Sequence, residues 1–271
     1  MITQNQSPSQ LLLEAITRLL ESGAVGVLVT VVAGDRVGDK ILIQESGNNV
    51  GTLTDESLKS AVIGYSSVFL SSREDVRLLS LKEIRPQAAT DSSVSFLFER
   101  LQPVPRLVVC GAGHVGAALA RLGSFVGYHV TLIDDRSEFL EPERFRGHEI
   151  DLVFTDDWTM TTTDVIGDGR NVAVAVVTRG HNEDEKCMQA VTGAVPDYIG
   201  LIGSKRRTNI VIDRLREAGV SPEVLSTIRA PIGLDIGAVS PEEVALSIIA
   251  EIVAERRGAK GSSLSAWRRE S

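Results

Sequence analysis

Three glycines spaced G-x-G-x-x-G, Gly111, Gly113 and Gly116, follow the apolar run "LVVC" and enclose His114. This spacing suits phosphate. One glycine makes a tight turn, one lets bare backbone approach a pyrophosphate, and one lets helix and strand pack closely. The N–H groups that open the following helix add a partial positive charge. Asp134 ends a second apolar run, at about the 20-residue interval expected of an acid that accepts ribose hydroxyls. It favours a plain ribose diol over a 2′-phosphate, although Arg136, two residues on, leaves the latter open. Gly111, Gly113, His114, Gly116 and Asp134 are therefore the first candidate cofactor-binding residues. The competing reading is a shell of the same shape that binds nothing.

Two more segments carry chemistry at corresponding places. "TRGHNEDEKC" (178–187) follows an uninterrupted apolar run. There His181 could act as acid, base or hydrogen-bond donor, and Asp184 could cap or orient the loop. These two are the candidate catalytic residues, weighed against a surface histidine beside a helix end. "GSKRRTNI" (203–210) supplies Ser204 as a cap, with Lys205, Arg206 and Arg207 suited to phosphate or carboxylate. Ser204, Lys205 and Arg206 join the cofactor-binding candidates; a solvated basic face is the alternative. Cys110 and Cys187 show no metal-ligand spacing and no disulfide framework, and read as small buried hydrophobes.

The elements that must position these residues fall into two parts. From 106 onward strands alternate with helices: 106–111, 129–135, 149–154, 172–178 and 198–204 read as strands, and 114–126, 183–194, 205–217 and 240–258 as helices. Residues 155–171 read as a polar loop. Ser240, Pro241 and Glu243 form a capping box with proline where its missing N–H costs least. This rhythm predicts an α/β fold with a Rossmann-like, doubly wound parallel sheet. Before it, a helix carrying Leu11, Leu12, Ala15, Ile16, Leu19 and Leu20 at helical spacing, with Ser9 as its N-cap and Gly23 as its stop, strands over 24–34, 39–46, 67–72 and 76–84, and a helix over 55–64 predict a smaller α+β domain. The expected division is 1–85 for that domain, 86–105 for a linker in which "FLFERL" (96–101) could pack as a short segment, 106–258 for the Rossmann-like domain and 259–271 for a flexible tail.

Composition narrows the function classes. The 271 residues are 43% hydrophobic and 24% charged, an ordinary globular mix. A net charge of -8 repels nucleic acid and anionic membranes unless a local patch overrides it; basic patches stand at Lys205-Arg206-Arg207 and near the C-terminus, but no nucleic-acid-binding motif is present. No apolar stretch reaches the roughly 18–20 residues of a membrane span. The first residues lack a signal-peptide pattern, so a cytoplasmic location is expected.

"LVVCGAGHVGAALARLGSFVGYHVTLIDDRSEF", "VVTRGHNEDE", "YIGLIGSKRR" and "PIGLDIGAVSPEEVALSIIAEIVAERRG", in that order over about 106–258, resemble the XdhC/CoxI family. These are accessory proteins of molybdenum hydroxylases such as xanthine dehydrogenase and carbon monoxide dehydrogenase. The resemblance implies binding of molybdenum cofactor, as molybdopterin or its cytosine dinucleotide, help with its sulfuration, and delivery to the hydroxylase apoenzyme. It also implies a cysteine desulfurase and a second copy of the chain as partners. Near the N-terminus, "GTLTDESLK" (51–59) places Ser57 and Lys59 where the family often has Cys and Glu, and "AGDRVGDKILI" lacks the family's Pro-Arg. Loss of that thiol removes a soft ligand for molybdenum or sulfur. The alternatives are an NAD(P)-dependent oxidoreductase using His181, and a nucleotide-sensing module with no chemistry.

Overall fold

A computed structural model describes residues 7–72, 74–86 and 93–265. The chain forms two compact units, Met1–Pro103 and Val104–Ser271.

The first unit runs α1 (Pro8–Glu21), β1 (Gly26–Ala33), β2 (Lys40–Gln44), β3 (Val50–Gly51), α2 (Glu56–Ser71), β4 (Val76–Ser80), α3 (Leu81–Ile84) and β5 (Ser95–Leu101). Its strands form an antiparallel sheet in the order β3-β2-β1-β5-β4. Alternation along each strand sends side chains to opposite faces. Ile41 and Ile43 pack with Phe69 of α2, while Leu42 packs with Leu12, Ala15 and Leu19 of α1. The cap of α1 is Ser7 and not the expected Ser9, because Ser7 and Gln10 close a capping box with Pro8 in the first turn and place Ser9 inside the helix.

Three segments of this unit differ from the sequence reading. Residues 67–72, expected as a strand, continue α2, whose buried Ala61, Val62, Ser66 and Phe69 lie on one helical face. The expected strand 76–84 breaks at Ser80, which caps α3 with Glu83. Residues 95–101, placed in the linker, form β5 between β1 and β4. The signal there is a period of two: Phe96 and Phe98 are fully buried, and Leu97 and Glu99 are less so. Residues 87–92 of the expected linker lie outside the described residues, as do 266–271 of the expected tail.

The second unit runs β6 (Arg106–Cys110), α4 (His114–Phe125), β7 (His129–Asp134), β8 (Ile150–Phe154), α5 (Trp158–Ile166), β9 (Val172–Val176), α6 (His181–Ala194), β10 (Tyr198–Leu201), α7 (Lys205–Glu217), α8 (Pro222–Thr227), β11 (Ile228–Arg229) and α9 (Pro241–Arg256). All pairings are parallel, in the order β11-β10-β9-β6-β7-β8. This is the doubly wound order, with β6 and β9 at the switch point. Leu107 and Val109 of β6 face the layer that holds α4 and α9. Val108 and Cys110 face the layer of α5, α6 and α7.

Helix α5 replaces most of the expected polar loop. Asp157 caps it by accepting from the N–H groups of Thr159 and Met160, and Trp158, Thr162 and Ile166 are buried at four-residue spacing. Ser240 caps α9 with Pro241 in the first turn and Glu243 closing the box.

Phe98→Ala should lower the unfolding free energy by about 3–5 kcal/mol in urea titration, the cost of truncating a fully buried aromatic. A loss below about 1 kcal/mol would mean that residues 95–101 do not pack as a central strand.

Candidate functional site

The carboxyl ends of β6, β7, β9 and β10 converge on a cleft of about 520 Å³, lined among others by Gly113, His114, Arg136, Phe139, Arg179 and Arg207. In an open parallel sheet this is the edge where ligands bind. A cavity of about 300 Å³ lies at the opposite edge, beside Arg106, Val172 and Tyr198 at the amino ends of their strands.

The three glycines have separate roles. Gly111 takes φ +112°, and a Cβ there would lie 2.7 Å from the carbonyl oxygen of Val177, so β6 passes against the end of β9. At Gly116 a Cβ would fall 1.7 Å from the carbonyl oxygen of Gly111, so α4 seats on its own loop. Gly113 is the N-cap of α4, and a Cβ there would meet no atom within 4 Å. It carries no side chain to cap the helix, so the first-turn N–H groups have no side-chain acceptor. His114, the first residue of α4, is exposed and lines the cleft.

Asp134 ends β7 and is 1% exposed. Its Oδ2 accepts from the backbone N–H of Ala112 at 2.6 Å and from Arg136 Nη2 at 3.0 Å. Its Oδ1 accepts from the backbone N–H and Nε of Arg136 at 3.0 and 2.9 Å. Burial pushes this carboxyl up, but the hydrogen bonds from Arg136 and Ala112 outweigh it and hold the group below the usual range. The Arg136 guanidinium lies 3.8 Å from the centre of the Phe139 ring.

Asp184, in the first turn of α6, is fully buried. Thr178 donates its hydroxyl to Oδ1 at 2.6 Å, and Arg207 donates through Nε and Nη2 to Oδ2, the former at 3.1 Å. Burial raises its pKa against the pull of Thr178 and Arg207. Arg179 pairs with Asp135 through two bonds of 2.9 and 3.0 Å. The cleft thus holds three arginines, each clasped by an acid, with Asp135 also 3.8 Å from Arg136 and Glu183 3.6 Å from Arg179.

The structure does not bring every expected residue here. His181 is exposed at the start of α6 and is not among the residues lining the cleft. Ser204 caps α7 by accepting from the Arg207 N–H at 3.3 Å. Lys205 and Arg206 are exposed and off the lining, whereas Arg207 is on it. A signal existed: Arg207 stands four and eight residues before the buried Val211 and Leu215, on the same face of α7. Arg179 and Phe139 fall in the segments that resemble the family, and no spacing of their own marks either.

Both cysteines are buried, and burial, with Cys110 as neighbour, pushes the Cys187 thiol well up. Among the described residues no group of three or more His, Cys, Asp or Glu could hold a metal ion. No described helix is long and apolar enough to cross a membrane. In the first unit Asp55 caps α2 by accepting from the N–H groups of Ser57 and Leu58 at 2.9 and 3.1 Å, so that helix start is filled by its own carboxylate.

The sequence model of one protein family, described as the XdhC Rossmann domain, matches residues 107–252. An uncharacterized protein of Escherichia coli K12, YqeB, is 28% identical over 82% of this chain and 41% of its own length. A probable xanthine dehydrogenase subunit from Bacillus subtilis 168 is 29% identical over 62% of this chain and 48% of its own length. The molybdenum cofactor insertion chaperone PaoD of E. coli K12 is 27% identical over 68% of this chain and 50% of its own length. The chain spans about half the length of these relatives or less. A crystal structure of a xanthine dehydrogenase from Bacillus halodurans shares the fold, with a TM-score of 0.66 and 19% identity over 93% of this chain and 68% of that one.

Gly116→Ala should cost about 1–3 kcal/mol or more, because backbone rather than a side chain must give way. Gly113→Ala should cost less than about 1 kcal/mol. Paired urea melts check both; equal losses would show that the two glycines do not divide packing from access.

Proposed function

The chain belongs to the XdhC Rossmann-domain family, and from that premise we propose that it binds molybdenum cofactor at the carboxyl edge of its parallel sheet and hands it to a molybdenum hydroxylase apoenzyme. The observation that carries this reading is the cleft itself, with open backbone at Gly113 beside three arginines braced by Asp134, Asp135 and Asp184. Backbone N–H groups at a helix start and planar guanidinium donors both suit the phosphate end of the cofactor. His114 joins them from the first position of α4. Delivery requires that a bound molecule can also leave, and hydrogen-bond donors release a phosphate more readily than a covalent or metal bond would.

In the acceptor the cargo supplies the molybdenum centre; this chain's residues bind, orient and release it. Cys110 and Cys187 are both buried, so neither presents an accessible sulfur, and burial also pushes the Cys187 thiol up. Ser57 offers no thiol either. The part of the chain in sulfuration is therefore to present the cofactor while a cysteine desulfurase acts on it. A second copy of the chain as partner and a cytoplasmic location belong to the same proposal. The oxidoreductase alternative gains no support from the cleft, where His181 is not part of the lining and Asp134 is already engaged.

Purified full-length chain should carry, or take up in titration, a molybdenum-containing pterin, read by metal analysis together with the fluorescence of the oxidised pterin. Gly113→Val should cut retention by about tenfold or more, equivalent to about 1.4 kcal/mol of binding, in a chain that its urea melt shows to be folded. No uptake by the wild-type chain, or full retention in the variant, would overturn the assignment.

A further inference from the structure

In a doubly wound dinucleotide site, the acid ending the second strand binds ribose through lone pairs that the protein leaves open. Asp134 holds that position with none left to offer. An ionised carboxylate has about four acceptor sites, and here Ala112 N–H, Arg136 N–H, Arg136 Nε and Arg136 Nη2 fill them at 2.6–3.0 Å. The side chain is 1% exposed. Its clasp partner is fixed in turn, with the Arg136 guanidinium stacked 3.8 Å from the Phe139 ring centre, and both residues line the cleft. Protein groups thus stand where a nucleotide would meet its acid.

The arginines are differently placed. A guanidinium has five N–H donors. The clasp on Asp134 uses one hydrogen each from Nε and Nη2 of Arg136, and that on Asp184 uses the same two nitrogens of Arg207. Donors beyond the clasps remain on both side chains, and the acids hold the two planes in position.

We propose that the Asp134–Arg136 clasp is a specificity determinant: it rejects a ribose diol, so the cleft takes the molybdenum-bearing pterin as its phosphate monoester and not in a nucleotide-extended form. This rests on the cofactor-binding reading of the same cleft. Arg136 acts twice, by spending the acid that a ribose needs and by offering its remaining donors to a terminal phosphate. The same clasp excludes NAD, whose adenosine ribose is a plain diol.

The test is isothermal titration of the full-length chain with four probes: molybdenum cofactor as molybdopterin, its cytosine dinucleotide form, NAD and NADP. The wild-type chain should bind the monoester form, bind the dinucleotide form at least about tenfold more weakly, and show no heat with either nicotinamide. Arg136→Ala frees Asp134 and should raise affinity for NAD and for the dinucleotide form by about tenfold or more, while weakening the monoester. Arg136→Lys, which keeps the charge and loses the two-pronged grip, should move the same way by less, and unfolding midpoints check that both variants fold. Equal or tighter binding of the dinucleotide form by the wild-type chain overturns the proposal and leaves cofactor binding intact. NAD binding by the wild-type chain, with no gain in Arg136→Ala, also overturns it. NADP binding without NAD overturns it too, because Arg136 would then be reading a 2′-phosphate. Failure of both molybdenum forms overturns the function on which the proposal rests, and the nicotinamide arms still judge the clasp.

Discussion

A backbone contact sets the rest of the second unit. Helix α4 lies so close to the end of β6 that the space between Gly116 and the Gly111 carbonyl admits no methyl group. With α4 seated there, its first turn opens directly at the carboxyl edge of the sheet. The same loop brings the Ala112 N–H within 2.6 Å of Asp134, which ties the first strand to the second. Gly111 repeats the constraint on the other side, where the loop passes against Val177 at the end of β9. Three strand ends are thereby held by one short loop, and the cleft takes its shape from their spacing.

Around that loop, acids serve the arginines. Asp184 is fully buried and would be costly as an isolated charge, but a hydroxyl and a guanidinium satisfy it. Removing Arg207 alone would leave that charge unpaired. The sign of the Asp134 shift has a further meaning. Its carboxyl is held below the usual range, so its contribution to stability is present above the unfolded pKa of about 3.9 and is lost as pH falls through the lower folded value. Across the neutral range the Asp134–Arg136 clasp is therefore a fixed part of the cleft wall.

Much of this was readable in the residues, and where it was not the reasons are physical. The doubly wound order followed from alternating apolar runs and helices, and the α9 capping box from three residues with local roles. Helix α5 was hidden because its buried face mixes Trp158 and Ile166 with Thr162, a residue that also suits a loop. Strand β5 was hidden by the proline- and serine-rich sequence before it, although Phe96 and Phe98 alternate as a strand should. At the cleft, spacing located the glycines and Asp134 but could not tell what Asp134 would bond to. In the run 205–207, charge marked all three residues, and only helical phase separates the one that lines the cleft from the two that do not.

The pairing of each cleft arginine with an acid has a kinetic consequence. Arg136 with Asp134, Arg179 with Asp135 and Arg207 with Asp184 sum to no net charge, and the chain as a whole carries -8. Between clasped partners a bound anion finds little net attraction, so these arginines act on it at hydrogen-bond range and govern how long it stays more than how fast it arrives.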